Sequence, residues 1–141
     1  MAKLTASDGE ASDFFGTSVS ISGDQAIVGA YGDADNGYRS GSAYIFEKTD
    51  GSWIQTEKLK PIDGQSFDYF GASGSITLNQ VVIGAPSAFN TGSAYVFEKL
   101  DGSWIQTADH CISAGFIYPR TAAGIVIAGV IAVFIAGGTA A

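Results

Sequence analysis

The stretch GSAYIFEKTDGSWIQT at residues 41–56 occurs again as GSAYVFEKLDGSWIQT at residues 92–107, at a spacing of 51 residues. The two segments differ at two positions, where Ile and Thr of the first are Val and Leu in the second. Near-identity over this length at a fixed spacing indicates an internal repeat. We therefore expect one structural unit that occurs twice in the chain.

The repeat extends upstream of this stretch. ISGDQAIVGA at residues 21–30 matches ITLNQVVIGA at residues 76–85, here at a spacing of 55. A Phe-Gly pair precedes each segment, at residues 15–16 and 70–71. The spacing changes because the loop that follows the first segment is four residues longer than its counterpart. One repeat therefore has about fifty residues, as is common in propeller blades.

Each repeat is predicted to form four short strands. Val19 and Ile21 alternate with serines, which is typical of a strand with one buried face. Residues 26–28 form a continuous apolar run, which is typical of a strand buried on both faces. Asp-Gly at residues 50–51 and 101–102 predicts tight hairpin turns. The strands of the first repeat are predicted at about Thr17–Ser22, Gln25–Ala30, Ser42–Lys48 and Trp53–Lys58.

Four strands in about fifty residues favour a β-propeller blade. A single four-stranded sheet cannot cover both of its own faces, so it must stack on neighbours. We expect an all-β fold with two four-stranded antiparallel blades of a partial propeller, blade 1 at residues 1–57 and blade 2 at residues 58–109. An apolar, helical tail is predicted at residues 110–141. Two blades leave open faces and edges, which predicts self-association or further blades in a longer product.

Two short motifs, Phe-Gly and Gly-Ala, stand at matching places in both repeats and resemble the FG-GAP repeat. This repeat builds the propeller of integrin α-chains, and the GSAYVFE strand with its DGSW turn resembles the bacterial-type variant. The resemblance covers about residues 3–109. It implies that the motif residues pack blades together: Phe15, Gly16, Gly29, Ala30, Phe70, Gly71, Gly84, Ala85 and Pro86.

The resemblance also implies a function. FG-GAP propellers present loops on one face to protein or carbohydrate partners, usually at the cell surface or outside the cell. The first expectation is therefore a non-catalytic binding or adhesion module that is part of a longer surface protein. The alternatives are a truncated or frameshifted structural fragment without its own activity and, ranked last, a piece of a propeller-containing hydrolase.

The acidic loops raise the question of calcium. In integrins an Asp-rich calcium loop lies between the two motifs, but here this connection is only residues 22–25 in one repeat and 77–80 in the other, too short to supply several oxygen ligands. No metal or cofactor is therefore predicted. The Asp33, Asp35 and Asn36 cluster is either a polar turn or a weak cation site. The recurring loops at residues 8–13 and 63–68 either cap turns or hold a cation at a seam.

Charge and motif content exclude several other classes. The net charge is −7 and no run of Lys or Arg is present, which excludes a nucleic-acid partner. The sequence contains no P-loop, nucleophile elbow, zinc spacing or dinucleotide fingerprint. His110 and Cys111 are adjacent, so on a strand they point to opposite faces and cannot form a catalytic pair. No catalytic residue is predicted.

Trp53 and Trp104 follow Asp-Gly-Ser in the two repeats. They are predicted to pack on the outer strand of each blade or, if exposed, to contact a protein or carbohydrate partner.

The last 21 residues, 121–141, carry no charged side chain and have the length of a membrane-spanning helix. Arg120 precedes them. A membrane anchor, a truncated third blade and an out-of-frame segment are all consistent with this composition. The residues after Met1 are polar, so no signal peptide is visible.

Overall fold

The computed structural model describes residues 1–113 and 116–119, with side chains described as far as Thr107. Nine strands form two separate antiparallel sheets in this part of the chain. The all-β prediction with one sheet per repeat is confirmed. The predicted membrane helix at residues 121–141 lies outside the described residues. Within the described residues, no helix is long and apolar enough to cross a membrane.

Blade 1 is a four-stranded sheet whose spatial order equals the chain order. Its strands are β1 (Ser18–Ser22), β2 (Gln25–Ala30), β3 (Ser42–Thr49) and β4 (Ser52–Leu59). β2 is buried along its whole length, as its apolar run predicts. The predicted strand bounds differ from those observed by one residue at most.

Blade 2 repeats this order with one additional strand. Its strands are β5 (Ser73–Ile76), β6 (Gln80–Ala85), β7 (Ser93–Leu100), β8 (Ser103–Ser113) and β9 (Phe116–Pro119). A short 3-10 turn at Ala88–Asn90 joins β6 to β7.

The end of blade 2 differs from the prediction. A helical tail was expected from residue 110, but β8 continues to Ser113 and pairs with β9 in antiparallel register. The backbone of residues 110–113 and 116–119 is therefore strand and belongs to the second sheet. The reason is that the edge of a sheet offers unpaired backbone groups, which a following segment can satisfy by pairing.

The Asp-Gly turns have the predicted hairpin geometry. Asp50 and Gly51 have φ values of 51° and 81°, and Asp101 and Gly102 have values of 50° and 82°. Two consecutive positive φ values are the requirement of the two-residue turn that matches strand twist.

The two blades pack face to face. Each sheet has two faces. The leading face is the one on the side of the preceding part of the chain, and the trailing face is the opposite one, on the side of the part of the chain that follows. At the seam, Ile27, Ala43 and Ile45 on the trailing face of blade 1 share one core with the leading face of blade 2. That leading face contributes Phe70, Ile76, Val81, Ile83, Ala85, Tyr95, Phe97 and Trp104. All of them are buried.

The sidedness of β1 was predicted wrongly. Val19 and Ile21 are exposed, and the serines between and beside them are half-buried. The alternation is real, but the apolar side belongs to the leading face of blade 1, which no described blade covers. In blade 2 the corresponding Ile76 is buried because blade 1 lies against it.

Candidate binding surface

Three loops meet where β2 ends and β3 begins. Residues 31–41 join these strands, and the loop that connects the blades, residues 60–72, runs beside them. The amide of Phe67 donates to the carbonyl of Tyr38 at 2.8 Å, and the amide of Tyr69 donates to that of Arg39 at 3.1 Å. The first loop, before β1, joins through the amide of Gly32, which donates to the Asp13 carbonyl at 3.0 Å.

Five aromatic rings from these loops form a continuous group, the aromatic cluster. Phe14 and Tyr31 stack with ring centroids 5.1 Å apart and planes 2° apart. Tyr31 also lies edge-on to Tyr69 at 5.8 Å. Phe67 lies edge-on to Tyr69 at 6.4 Å and to Tyr38 at 5.4 Å. These are the arrangements that aromatic pairs prefer.

The aromatic cluster faces solvent. Phe14 is 46% exposed, Tyr38 is 59% exposed and Phe67 is 52% exposed, while Tyr31 and Tyr69 are half-buried. Contiguous apolar groups at the surface mark interaction sites more often than isolated ones do. Interfaces are also enriched in Tyr, Phe and Arg.

Arg39 adds a cation to the rings. Its guanidinium carbon lies 5.3 Å from the centroid of Tyr38. A hydrogen bond with Tyr69 raises the pKa of Arg39, so its guanidinium stays protonated.

Three members of the aromatic cluster, and Arg39 beside them, have left-handed backbone conformations. Phe14, Arg39, Phe67 and Tyr69 have φ values of 57°, 55°, 68° and 57°. Bulky residues rarely adopt this region, which costs roughly 1–2 kcal/mol for each residue. Such outliers concentrate at functional sites, where the surrounding structure holds them in place. The chain therefore keeps exposed rings in conformations that stability alone disfavours.

An ion-pair cluster lies at the same end of blade 1. The carboxylate oxygens of Asp8, Asp33 and Asp35 lie within 4.8 Å of one another. Lys58 Nζ is 2.6 Å from Asp8 Oδ2, 2.8 Å from Asp33 Oδ2 and 2.8 Å from Asp35 Oδ2. Tyr44 Oη donates to this group, 3.0 Å from Asp8 Oδ1 and 3.1 Å from Asp33 Oδ2. The place that a bound cation would take among these carboxylates is held by a lysine ammonium.

The pKa values of this group follow from the lysine. Hydrogen bonds from Lys58 hold the pKa values of Asp8 and Asp35 below the ordinary value of an aspartate. Burial by itself would lower the pKa of Lys58, but hydrogen bonds to the three carboxylates raise it above its ordinary value. Burial raises the pKa of Tyr44, so its hydroxyl stays a donor.

Blade 2 does not repeat the ion-pair cluster. Ala88 stands at the place of Asp33 and is buried. Asp109 is paired in register with Tyr95 as Lys58 is with Tyr44. Since an acidic residue replaces the lysine, this lysine-centred arrangement is a property of blade 1.

The recurring acidic loops cap turns. The amide of Glu10 donates to Asp13 Oδ2 at 2.7 Å, and the amide of Gln65 donates to Asp68 Oδ2 at 2.8 Å. The turn-capping prediction for these loops is confirmed for Asp13 and Asp68, one aspartate in each loop. In the other loop, the amide of Asp35 donates to Asp33 Oδ1 at 2.9 Å, which is a polar turn as well as part of the ion-pair cluster.

The predicted motif residues line the blade faces. Phe70 is fully buried at the seam, and Phe15 is half-buried against Tyr44 and Phe46. Gly16 and Gly71 have φ values of 94° and 93°. Of the remaining predicted motif residues, Ala30 and Ala85 are buried at the ends of β2 and β6, each next to its strand neighbour, Gly29 or Gly84, and Pro86 is exposed.

The two tryptophans are in different environments. Trp104 is buried at the seam, where Lys99 Nζ lies 5.8 Å from its ring, so it supplies packing and presents no ring to a partner. Trp53 is half-buried against the leading face of blade 1. The aromatic cluster was not predicted from the sequence. A signal existed, because an aromatic residue, Phe14 or Tyr69, directly precedes Phe-Gly in both repeats.

Comparison with known proteins identifies the repeat. The FG-GAP repeat family model matches the chain twice, over residues 1–46 and over residues 53–97. Each matched segment contains a Phe-Gly pair, at residues 15–16 or 70–71, and the Gly-Ala pair that ends its second strand, at residues 29–30 or 84–85. No curated protein matches the chain. The chain belongs to the FG-GAP repeat family, and its blades are two copies of that repeat.

Proposed function

We propose that the chain is a non-catalytic binding module of a β-propeller and that the aromatic cluster is its contact surface. The observation that carries this proposal is the exposure of Phe14, Tyr38 and Phe67 on loops whose backbone is held in the left-handed region. Loops at one end of a rigid sheet scaffold are common positions for binding residues.

The chemistry of the surface favours a protein or carbohydrate partner. Aromatic rings supply large contact areas at a low cost in side-chain entropy, and Arg39 beside Tyr38 offers hydrogen-bond donors. Each carboxylate of the ion-pair cluster is already paired with Lys58, which supports a contact made by rings more than by charge. By likeness to its family, we place the partner at the cell surface or outside the cell.

The test measures binding of the full chain to two probe sets, an array of immobilised oligosaccharides and a library of displayed linear peptides. The variants Tyr38→Ser and Phe67→Ser each remove an exposed ring. We expect either variant to weaken a detected contact by about 2 kcal/mol or more, as is typical of an aromatic anchor.

Leu78→Ser is the matched control, because Leu78 is an exposed apolar residue in the turn between β5 and β6. Binding that both cluster variants retain, or binding lost equally in the Leu78 variant, would overturn the proposal. Absence of binding to both probe sets would also count against it.

A further inference from the structure

Within the described residues, no other blade lies against the leading face of blade 1 or the trailing face of blade 2, and these two uncovered faces match the two faces of the seam. Ile27 on the trailing face of blade 1 is 2% exposed, while Val82, at the same place on blade 2, is 44% exposed. Ile76 on the leading face of blade 2 is 4% exposed, while Ile21, at the same place on blade 1, is 66% exposed. The apolar residues of a seam are therefore present at both ends of the described two-blade stack.

The groups that make the polar contacts of the seam are also present on the uncovered faces. Ser18 Oγ donates to the Gly71 carbonyl at 2.8 Å across the seam, and the Ile76 amide donates to Ser20 Oγ at 3.4 Å. At the corresponding positions of the uncovered faces, Ser73 stands in the place of Ser18 and Gly16 in that of Gly71. In the same way, Ile21 corresponds to Ile76 and Ser75 to Ser20.

One ion pair crosses the seam, between Lys99 on blade 2 and Glu47 on blade 1. Its counterparts are Lys48 on the leading face of blade 1 and Glu98 on the trailing face of blade 2. Lys48 is exposed and Glu98 is half-buried. Glu98 Oε1 accepts from Gln80 Nε2 at 3.2 Å, just as Glu47 accepts from Gln25 at 3.1 Å. The two uncovered faces therefore carry opposite charges at the positions that form the ion pair of the internal seam.

The glycines provide a further match. A Cβ at Gly29 would lie 2.0 Å from the Gly71 carbonyl oxygen, so close contact of the blades requires glycine there. Gly84 has the same place on blade 2, but a Cβ there would meet only atoms of Ser73. Gly84 therefore leaves room for the carbonyl oxygen of Gly16 in a second copy of the chain, as Gly29 leaves room for that of Gly71.

We propose that blade 1 of one copy docks with its leading face onto the trailing face of blade 2 in a second copy, and so reproduces the internal seam between molecules. Such a contact joins two different surfaces, so it continues head to tail until a ring closes. Because propellers close with about four to eight blades, a ring of two-blade copies contains about two to four copies.

The intermolecular seam lacks a contact that the internal seam has. In the internal seam the Trp104 amide donates to Glu57 Oε2 at 3.3 Å, but Ala108 stands at the position of Glu57 in blade 2. The intermolecular contact is therefore weaker than the internal one and depends on protein concentration.

The test uses analytical ultracentrifugation of the full chain and of two variants, Ile21→Asp on the leading face and Val82→Asp on the trailing face. The unmodified chain is expected to sediment as oligomers whose mass rises with concentration. Each variant alone is expected to be a monomer. Every contact between two copies of the same variant would bury the introduced aspartate on one of the two faces. An equimolar mixture is expected to form a 1:1 dimer, because each variant retains the face that the other lacks.

Leu78→Asp, in the exposed β5–β6 turn, is the control and is expected to oligomerise like the unmodified chain. Far-UV circular dichroism checks that all variants fold. A monomeric unmodified chain at every concentration would overturn the proposal, and so would association that survives both substitutions. Loss of association in only one variant would indicate that like faces meet, which also contradicts head-to-tail docking.

Discussion

Lys58 near the end of β4 and Asp33 in the loop after β2 form an ion pair of 2.8 Å in which the aspartate is buried. The pair joins the outer strand of blade 1 to the loop at its end. Asp8, from the segment before β1, makes a second contact with the same ammonium at 2.6 Å. One lysine therefore fixes two loops on which the aromatic cluster depends.

Replacement of this lysine should destabilise the chain. Lys58→Met leaves the buried Asp33 carboxylate without its cation and places it close to Asp8 and Asp35. Removal of one partner of a buried pair is strongly destabilising, and partial solvent access reduces the effect here, so we expect a loss of about 1–3 kcal/mol. Guanidinium unfolding measures it.

Lys60→Met is the matched control, because Lys60 contacts only Asp35 among the described ion pairs, at 3.1 Å, and is partly exposed. Its loss should be below about 1 kcal/mol. Equal losses in the two variants would show that burial of Asp33 has no special effect.

The ion-pair cluster should also make stability depend on pH on the acid side. The pKa values of Asp8 and Asp35 are lower in the folded chain than in the unfolded one. Their contribution is therefore present above about pH 4 and is lost as the pH falls through their folded values. The raised pKa of Lys58 keeps its contribution complete below about pH 10.

Free energies of unfolding at pH 6 and pH 3 provide the measurement. The unmodified chain should lose more stability between these values than Lys58→Met, in which the cause of the lowered pKa values is absent. Parallel losses would contradict the assignment of the pKa shifts to Lys58.

The strands could be predicted from the sequence because their signals are local. Residues 26–28 and the turn at Asp50-Gly51 contain the whole pattern that determines them. The sidedness of β1 could not be predicted, since burial of Val19 and Ile21 depends on whether another blade lies against them. Repeat symmetry shows only that the equivalent Ile76 is buried where a neighbour exists.

The candidate site was harder to predict because its members are distant in sequence. Phe14, Tyr31 and Tyr69 come from three loops, which meet only after the blades have stacked. Lys58 and Asp8 are 50 residues apart. Sequence spacing placed the tryptophans in equivalent positions, but burial of Trp104 at the seam needs the partner blade.

Gly51 tests the hairpin turn of blade 1. Its φ is 81°, and a Cβ there would meet nothing within 4 Å. Gly51→Ala should therefore cost about 1–2 kcal/mol through backbone strain alone. Thermal unfolding followed by circular dichroism measures the change.

Gly74→Ala is the contrasting substitution. Gly74 lies in β5, its backbone is outside the left-handed region, and an added Cβ would lie 3.9 Å from Ile27 side-chain atoms. We expect it to be neutral or stabilising by up to about 1 kcal/mol. Equal destabilisation by the two substitutions would exclude backbone conformation as the cause.

A substitution at Phe67 distinguishes a role of the aromatic cluster in binding from a role in stability. Phe67→Asn removes an exposed ring, and Asn tolerates the φ of 68° better than Phe does. The relief of strain offsets the lost contacts with Tyr38 and Tyr69, so stability should change by less than about 1 kcal/mol while any probe contact is lost.

Phe70→Asn is the comparison, since this fully buried ring packs against Tyr95 and Phe97. It should cost about 3–5 kcal/mol or prevent folding. If Phe67→Asn destabilised the chain as much as Phe70→Asn, the aromatic cluster would be part of the core and not a surface held for binding.

Gly29 and Gly84 test the internal and the proposed intermolecular seam with the same substitution. An added Cβ would meet a serine Oγ at 2.3 Å in either position, Ser18 in blade 1 and Ser73 in blade 2, but only at Gly29 would it also lie 2.0 Å from the Gly71 carbonyl oxygen. A serine hydroxyl can rotate away, whereas a backbone carbonyl in a packed seam cannot. Gly29→Ala should therefore cost about 3 kcal/mol or more, and Gly84→Ala about 1 kcal/mol or less.

The same pair should behave differently in association. Gly84→Ala leaves the folded monomer nearly unchanged but brings its Cβ against the backbone of an incoming blade, so sedimentation should show loss of oligomers without loss of secondary structure. The measurements are guanidinium unfolding for stability and ultracentrifugation for mass. Oligomers of undiminished mass in a well-folded Gly84→Ala chain would mean that the trailing face of blade 2 does not meet another blade as the trailing face of blade 1 does.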